Sequence, residues 1–381
     1  MPFGDWTPEE KAGQHIVAGF EGLAPPASLL ERIRAGRAGG VILFRRNIES
    51  AEQTLSLTHA LQRAAAESPR RLPLLIAIDE EGGRVSRLSE DFTRFPAARL
   101  FGRLGDPGLV RRAAAATAAE LRAAGVNMNL APVLDVLTNP ACTVIGDRAF
   151  GEEPALVGEM AAAAVSGLQA GGVAAAAKHF PGIGDMAPDP HEELPACDLQ
   201  EADLRARELA PYRRALAPDL PAGPAAAVLV AHAVYTRIDP DRPASLSGRI
   251  VRGLLREGLN FGGLALTDDL EMGAIEDPAG SAMEAVAAGE DVALICRTEK
   301  IQEGALERIA RALREGEIRP EAEDASLGRI LAAKARFAGA AGDFAGADSL
   351  ARRQREREAV VGRQSHRALR EEIERLIQNM K

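Results

Sequence analysis

Lys178-His179-Phe180-Pro181-Gly182-Ile183-Gly184-Asp185-Met186-Ala187-Pro188-Asp189-Pro190-His191 holds the residues best spaced for proton chemistry. Asp189 and His191 are two apart, and in an extended backbone such residues point to the same side. Pro190 fixes its own φ and biases Asp189 towards β or polyproline geometry. A carboxylate beside an imidazole sets the ring tautomer and raises its basicity, as a proton-transfer group needs. The plainer alternative is a surface loop whose Asp and His only cap neighbouring backbone.

Three other clusters could contribute. Thr267-Asp268-Asp269-Leu270-Glu271 places consecutive carboxylates where an apolar run ends. One of the two is expected to face a pocket, as nucleophile, base or metal ligand, while the other caps or meets solvent. Asp79-Glu80-Glu81-Gly82-Gly83-Arg84-Val85-Ser86-Arg87 combines glycines that permit a tight turn with an acceptor (Asp79) and arginine donors suited to hydroxyls. Arg148 sits between Gly146 and Gly151, where an Asp-Arg pair could equally be a structural salt bridge.

The elements that must position these groups are short apolar runs separated by helical or loop-like segments. The runs are His15–Phe20, Gly40–Phe44, Leu74–Asp79, Met128–Val133, Val173–Lys178, Val228–His232, Leu264–Asp268 and Val292–Cys296. Ala- and Arg-rich segments such as Val110–Ala124 and Glu159–Ala170 carry helical periodicity. Near-continuous apolar strands alternating with helices imply a parallel sheet covered on its faces. The fold class is therefore α/β, and eight units predict a (β/α)₈ TIM-type barrel, with a doubly wound open sheet as the alternative. Asp79, Lys178, His179, His232 and Asp268 all fall at C-terminal strand ends. Those ends converge on one mouth in a barrel but lie along an edge in an open sheet.

The predicted division is a catalytic barrel over residues 1–340 and a helical C-terminal tail over 341–381. In the tail Leu369, Ile373, Leu376, Ile377 and Met380 form an apolar stripe that packs back on the barrel or, alternatively, makes a dimer contact. The chain's net charge of -9 argues against nucleic-acid binding through phosphates. Cys142, Cys197 and Cys296 lie far apart and form neither a disulfide framework nor a metal-ligand spacing, so a reducing, cytoplasmic setting is expected. No apolar run reaches the length of a membrane span, and residues 1–10 have no apolar signal-like stretch. No metal and no organic cofactor are expected.

The chain resembles glycoside hydrolase family 3, and within it the cytoplasmic β-N-acetylglucosaminidases of peptidoglycan recycling. The family motif K-H-F-P-G-H-G, four residues, D-S-H, three residues, P is met by Lys178–Gly184, Asp189-Pro190-His191 and Pro195 with the spacing kept. GVILFRRN, DEEGGRVSRL, NLAPVLDV, VIGDRAFG, Ala231-His232, Pro243-Ala244-Ser245 and TDDLEMGAI follow in order, across Phe20 to Ala338. The resemblance covers the barrel only, without the second α/β domain that many members carry. It implies that Asp268 is the nucleophile and His191 the general acid/base partnered by Asp189. It also implies that Asp79, Arg87, Arg148, Lys178 and His179 bind the terminal sugar. Lys178 and Arg148 are then expected to help keep Asp268 ionised. Three departures stand out: Ile183 replaces a His, Pro190 replaces a Ser, and Glu80 occupies a position usually Gln or His.

The implied activity is that of a retaining exo-β-N-acetylhexosaminidase acting on muropeptides or chitooligosaccharides, as a monomer or weak homodimer. A different family 3 specificity (β-glucosidase or β-xylosidase), phosphorolysis in place of hydrolysis, and a sugar-binding paralogue without turnover are the alternatives.

Overall fold

The computed structural model describes residues 3–186, 194–344, 346 and 348–380. Eight parallel strands close into a barrel. In chain order they are β1 (Ile16–Ala18), β2 (Gly40–Leu43), β3 (Leu75–Ile78), β4 (Met128–Asn129), β5 (Ala174–Phe180), β6 (Ala227–Val230), β7 (Leu264–Asp269) and β8 (Val292–Ile295). Each strand pairs with its sequence neighbours, and Ile16 opposite Ala293 closes the ring between β1 and β8. The open-sheet alternative is thereby excluded.

The strands are buried on both faces, which is why they read as apolar runs without alternation. Val17, Ile42, Leu75, Met128, Leu229 and Leu266 belong to one core cluster, while Val41, Ile76, Val228 and Ala265 belong to the other, shared with the helices. Strand limits differ from expectation mainly at β4. Pro132 has no N–H to offer the ladder, so pairing breaks after Asn129 and resumes only as an isolated bridge from Val133 to Lys178. At the other extreme β5 runs on to Phe180. Its register with β6 slips between Ala177 and Phe180, and that of β7 with β8 slips between Leu266 and Asp269. Such slips re-aim side chains, and here they occur at Lys178, His179 and Asp268.

The helices follow their local signals. α1 (Ala51–Ala66) is capped by Ser50, whose hydroxyl accepts the Gln53 N–H. α2 (Pro107–Ala123) begins with the Asp106 cap and Pro107, and packs on α3 (Pro154–Ala170). α4 (Glu299–Glu315) and α5 (Pro320–Ala333) follow β8. The tail forms α6 (Ser349–Val360), which rests on α1, and α7 (Gln364–Gln378), which rests on α2. Leu369 and Ile373 enter the main core and Ile377 packs against it, so that part of the stripe turns to the barrel, whereas Leu376 is 40% exposed. Among the described residues no helix is long and apolar enough to cross a membrane.

Candidate active site

A cavity of about 760 Å³ opens at the C-terminal ends of the strands. Asp79, Arg87, Arg148, Lys178, His179 and Asp268 all line it. Six of the eight expected site residues thus meet at one mouth. Asp189 and His191 lie outside the described residues.

At the centre of one wall is Lys178, buried at the end of β5. Its Nζ donates to Asp79 Oδ1 at 2.7 Å and lies 2.6 Å from Glu81 Oε1. Burial would lower its pKa, but the two carboxylates outweigh that and raise it, so the ammonium persists. Arg148 reaches Glu81 from the other side with a two-pronged grip, Nε and Nη2 each at 2.8 Å. Burial of Glu81 favours its protonation, yet Lys178 and Arg148 hold it well below the usual carboxylate range. Arg87 stands 3.8 Å from the free oxygen of Asp79. The Asp147–Arg148 alternative resolves cleanly: Asp147 pairs with Arg84 at the surface, while Arg148 turns inward.

His179 has a defined hydrogen-bond environment. Its Nδ1 lies 2.7 Å from Asp135 Oδ2, so Nδ1–H donates there, and Nε2 then accepts from Arg148 Nη2 at 3.1 Å. Asp135 also accepts the backbone N–H groups of His179 (3.3 Å) and Ile183 (2.8 Å). One buried carboxylate therefore sets the ring and the start of the following loop together. Ile183, where the motif has a His, serves through its backbone, and its carbonyl accepts from Cys142 Sγ. Gly184 allows that loop to close on β4's loop, since a Cβ there would sit 2.1 Å from Val136 O.

Both residues of the carboxylate pair at the end of β7 line the cavity, where only one was expected to, and they differ in their partners. Asp269 Oδ1 accepts the N–H groups of Glu271 (3.0 Å) and Cys296 (3.2 Å), and burial together with the Asp268 charge raises its pKa. Asp268 faces the cavity. Burial would raise its pKa too, but the nearby His179 and His232 rings, the Asp269 N–H at 2.8 Å and the Lys178 ammonium together lower it. The surroundings thus push the two adjacent carboxyls in opposite directions, Asp268 towards the ionised form and Asp269 towards the neutral one. Arg148 does not act on Asp268 as expected, because its charge is spent on Glu81. His232 departs from expectation as well. It does not line the cavity; its Nε2 donates to Asp269 O at 3.1 Å and its Nδ1 accepts from Ser245 Oγ at 2.7 Å. Burial lowers its pKa and keeps the ring neutral as a support for the β7 end.

Glu81 and Asp135 were not singled out in the sequence. Both stood inside landmark segments, DEEGGRVSRL and NLAPVLDV, and a buried acid in such a segment was the available signal. Glu80 turns away from the cavity: Oε2 accepts from Ser86 Oγ at 2.8 Å and from the Arg87 N–H at 3.0 Å, and burial pushes its pKa up to about 7. Among the described residues no group of three or more His, Cys, Asp or Glu could hold a metal ion.

The sequence model of the glycosyl hydrolase family 3 N-terminal domain matches residues 7–333. The chain belongs to glycosyl hydrolase family 3. Among its relatives, the beta-hexosaminidase of Thioalkalivibrio sulfidiphilus is 41% identical over 290 residues, covering 74% of this chain and 80% of that protein. Beta-hexosaminidase A of Pseudoalteromonas piscicida is 35% identical over 373 residues; the match covers 91% of this chain but only 60% of that longer relative. The family 3 beta-N-acetylglucosaminidase structure from Paenibacillus sp. superposes with a TM-score of 0.83 at 41% identity, covering 87% of this chain and 63% of that one. NagZ from Neisseria gonorrhoeae, solved with N-trifluoroacetyl-D-glucosamine, superposes with a TM-score of 0.73 at 29% identity over 95% of this chain and 98% of that one.

Proposed function

We propose that this family 3 chain is a retaining exo-β-N-acetylhexosaminidase that removes terminal β-linked N-acetylglucosamine from muropeptides or chitooligosaccharides. The observation that carries the reading is the carboxylate of Asp268, kept ionised at the floor of a cavity ringed by fixed donors and acceptors. In a retaining mechanism Asp268 attacks the anomeric carbon as the aglycone departs, forming a glycosyl ester, and water then displaces the sugar. Asp79, Lys178, Arg87, Arg148 and His179 offer the hydroxyls of a terminal sugar acceptors and donors, with Lys178 and Arg148 fixed by Glu81 and His179 by Asp135.

In this proposal His191 protonates the leaving oxygen and later takes a proton from water, with Asp189 orienting its ring. An unperturbed imidazole pKa of about 6.5 suits both steps. The role rests on the matched motif and its spacing, since the pair lies outside the described residues. The names of the relatives above support the hexosaminide specificity, and a soluble, cytoplasmic protein acting as a monomer or weak homodimer completes the reading.

The test is nitrophenol release from the β-N-acetylglucosaminide and the β-glucoside, each with and without phosphate. Asp268→Asn is expected to abolish nearly all release from the N-acetylglucosaminide. His191→Ala should lose far less on the activated aryl glycoside than on a natural disaccharide, because a good leaving group needs little protonation. Equal losses on both substrates would remove His191 from the acid role, and preference for the glucoside would remove the hexosaminide specificity. Release that depends on phosphate would replace hydrolysis by phosphorolysis.

A further inference from the structure

The wall of the cavity that carries Arg87 is a long segment between β3 and the helix at Ala98–Leu104, and its far end is held by the C-terminal tail. The Thr93 N–H donates to Glu120 Oε2 on α2 at 2.7 Å. The other oxygen of Glu120 accepts from His366 Nδ1 on α7 at 2.7 Å. Arg363 Nε donates to His366 Nε2 at 2.7 Å, so the ring must carry its proton on Nδ1, aimed at Glu120. Glu120 and His366 are almost fully buried. The turn between α6 and α7 bears on the same segment: Gly362 has a φ of 62°, and a Cβ on it would lie 2.5 Å from Asp91 O.

Between this anchor and the cavity the segment has little slack. Leu88, Ser89 and Phe92 are buried, and Glu80 accepts from the Arg87 N–H and the Ser86 hydroxyl. A displacement at Thr93 thus has only the exposed turn at Glu90 and Asp91 to absorb it before it reaches Arg87. We propose that the tail is part of the substrate-binding apparatus: His366, acting through Glu120 and Thr93, is a positioning residue for Arg87 and so sets the affinity for the terminal sugar. The proposal rests on the glycosidase reading and on Arg87 as a sugar contact.

The experiment uses the full chain and two readouts, steady-state kinetics on nitrophenyl β-N-acetylglucosaminide and amide hydrogen exchange across residues 86–93. His366→Ala is expected to raise KM about five- to ten-fold with kcat nearly unchanged, as when an interaction of equal strength in the ground and transition states is weakened. Exchange at 86–93 should quicken. His366→Asn keeps an N–H to offer Glu120 and should recover most of the affinity. Glu372→Ala, which breaks the exposed pair with Arg112 on the same helix, should change neither readout. In an Arg87→Ala background His366→Ala should add nothing to KM, because the residue being positioned is gone. An equal KM penalty in that background, or unaltered KM and exchange in His366→Ala, overturns the proposal. Absence of turnover in the unmodified protein would count against the glycosidase reading alone. The exchange comparison would still decide the coupling: unchanged protection refutes it and faster exchange supports it.

Discussion

Replacing Asp135 by Asn changes no volume and removes one charge, yet its consequences can be worked through atom by atom. The Asn carbonyl can still accept the Ile183 N–H, now held at 2.8 Å. The amide –NH₂ then faces His179 Nδ1, which is itself a donor in the present arrangement. Two donors cannot share that contact, so the ring proton must move to Nε2. There it meets Arg148 Nη2, another donor, at 3.1 Å. Loss of the charge-assisted bond is worth about 2 kcal/mol and loss of the Arg148 bond about 1 kcal/mol. If the transition state feels all of it, kcat/KM falls on the order of 100-fold. Other Asp-His pairs respond to the same substitution through the same tautomer change. The assay is kcat/KM on nitrophenyl β-N-acetylglucosaminide beside a thermal melt, with the ring ¹⁵N shifts of His179 as a direct tautomer report. A variant that keeps more than about a fifth of the activity with the proton still on Nδ1 would refute the reasoning.

Two further outcomes concern stability and its pH dependence. Glu80 binds a proton more tightly when folded, with its pKa near 7 against an ordinary 4.5, so it supports folding below pH 4.5 and that support is lost as pH rises through about 7. Glu80→Gln should accordingly be more stable at pH 8 by about 1–3 kcal/mol and show a flatter stability profile from pH 4.5 to 7, read by urea unfolding; a destabilised variant at pH 8 would contradict the burial argument. Lys334 presents the opposite sign. It is buried with Gln14 Oε1 at 2.6 Å as its partner, and burial lowers its pKa from 10.5 to about 7. Its contribution is favourable above pH 10.5 and is lost as pH falls through 7, so Lys334→Met should gain about 2–4 kcal/mol at pH 7 after allowing for the lost hydrogen bond, and the gain should shrink at pH 10. A lowered melting temperature at pH 7 would sink that expectation.

The barrel was legible in the sequence because its strands are buried on both faces, and runs such as Leu264–Leu266 and Val292–Ile295 therefore carry no polar interruption. The cavity lining was legible for a related reason: in this architecture a charged residue placed where an apolar run stops has only the mouth to face. Glu81 and Asp135 fall outside both patterns. Each lies beyond the end of its strand, in irregular backbone whose path depends on partners distant in sequence, Arg148 and Lys178 for the first and His179 for the second. The same limit applies to His232. Its position at a strand end was read correctly, but the rotation that sends it behind β7 to Ser245 is set by packing and has no local signature. The tail stripe was half readable. Periodicity marked one face of α7, and only the fold decides that Leu369 and Ile373 find a surface while Leu376 overshoots it.

The grip of Lys178 and Arg148 on Glu81 bears on what happens after the first chemical step. The cavity lining sets Asp79, Glu81, Asp268, Asp269 and Glu271 against Arg46, Arg84, Arg87, Arg148, Lys178 and Arg297, a nearly balanced set that suits an uncharged sugar. In the proposed mechanism, esterification of Asp268 would remove its charge while Lys178 and Arg148 stay pinned on Glu81, leaving the waiting enzyme more electropositive. The second half of the cycle would then favour an arriving hydroxide-like or anionic acceptor, so the deglycosylation rate should be more sensitive to ionic strength than the first step.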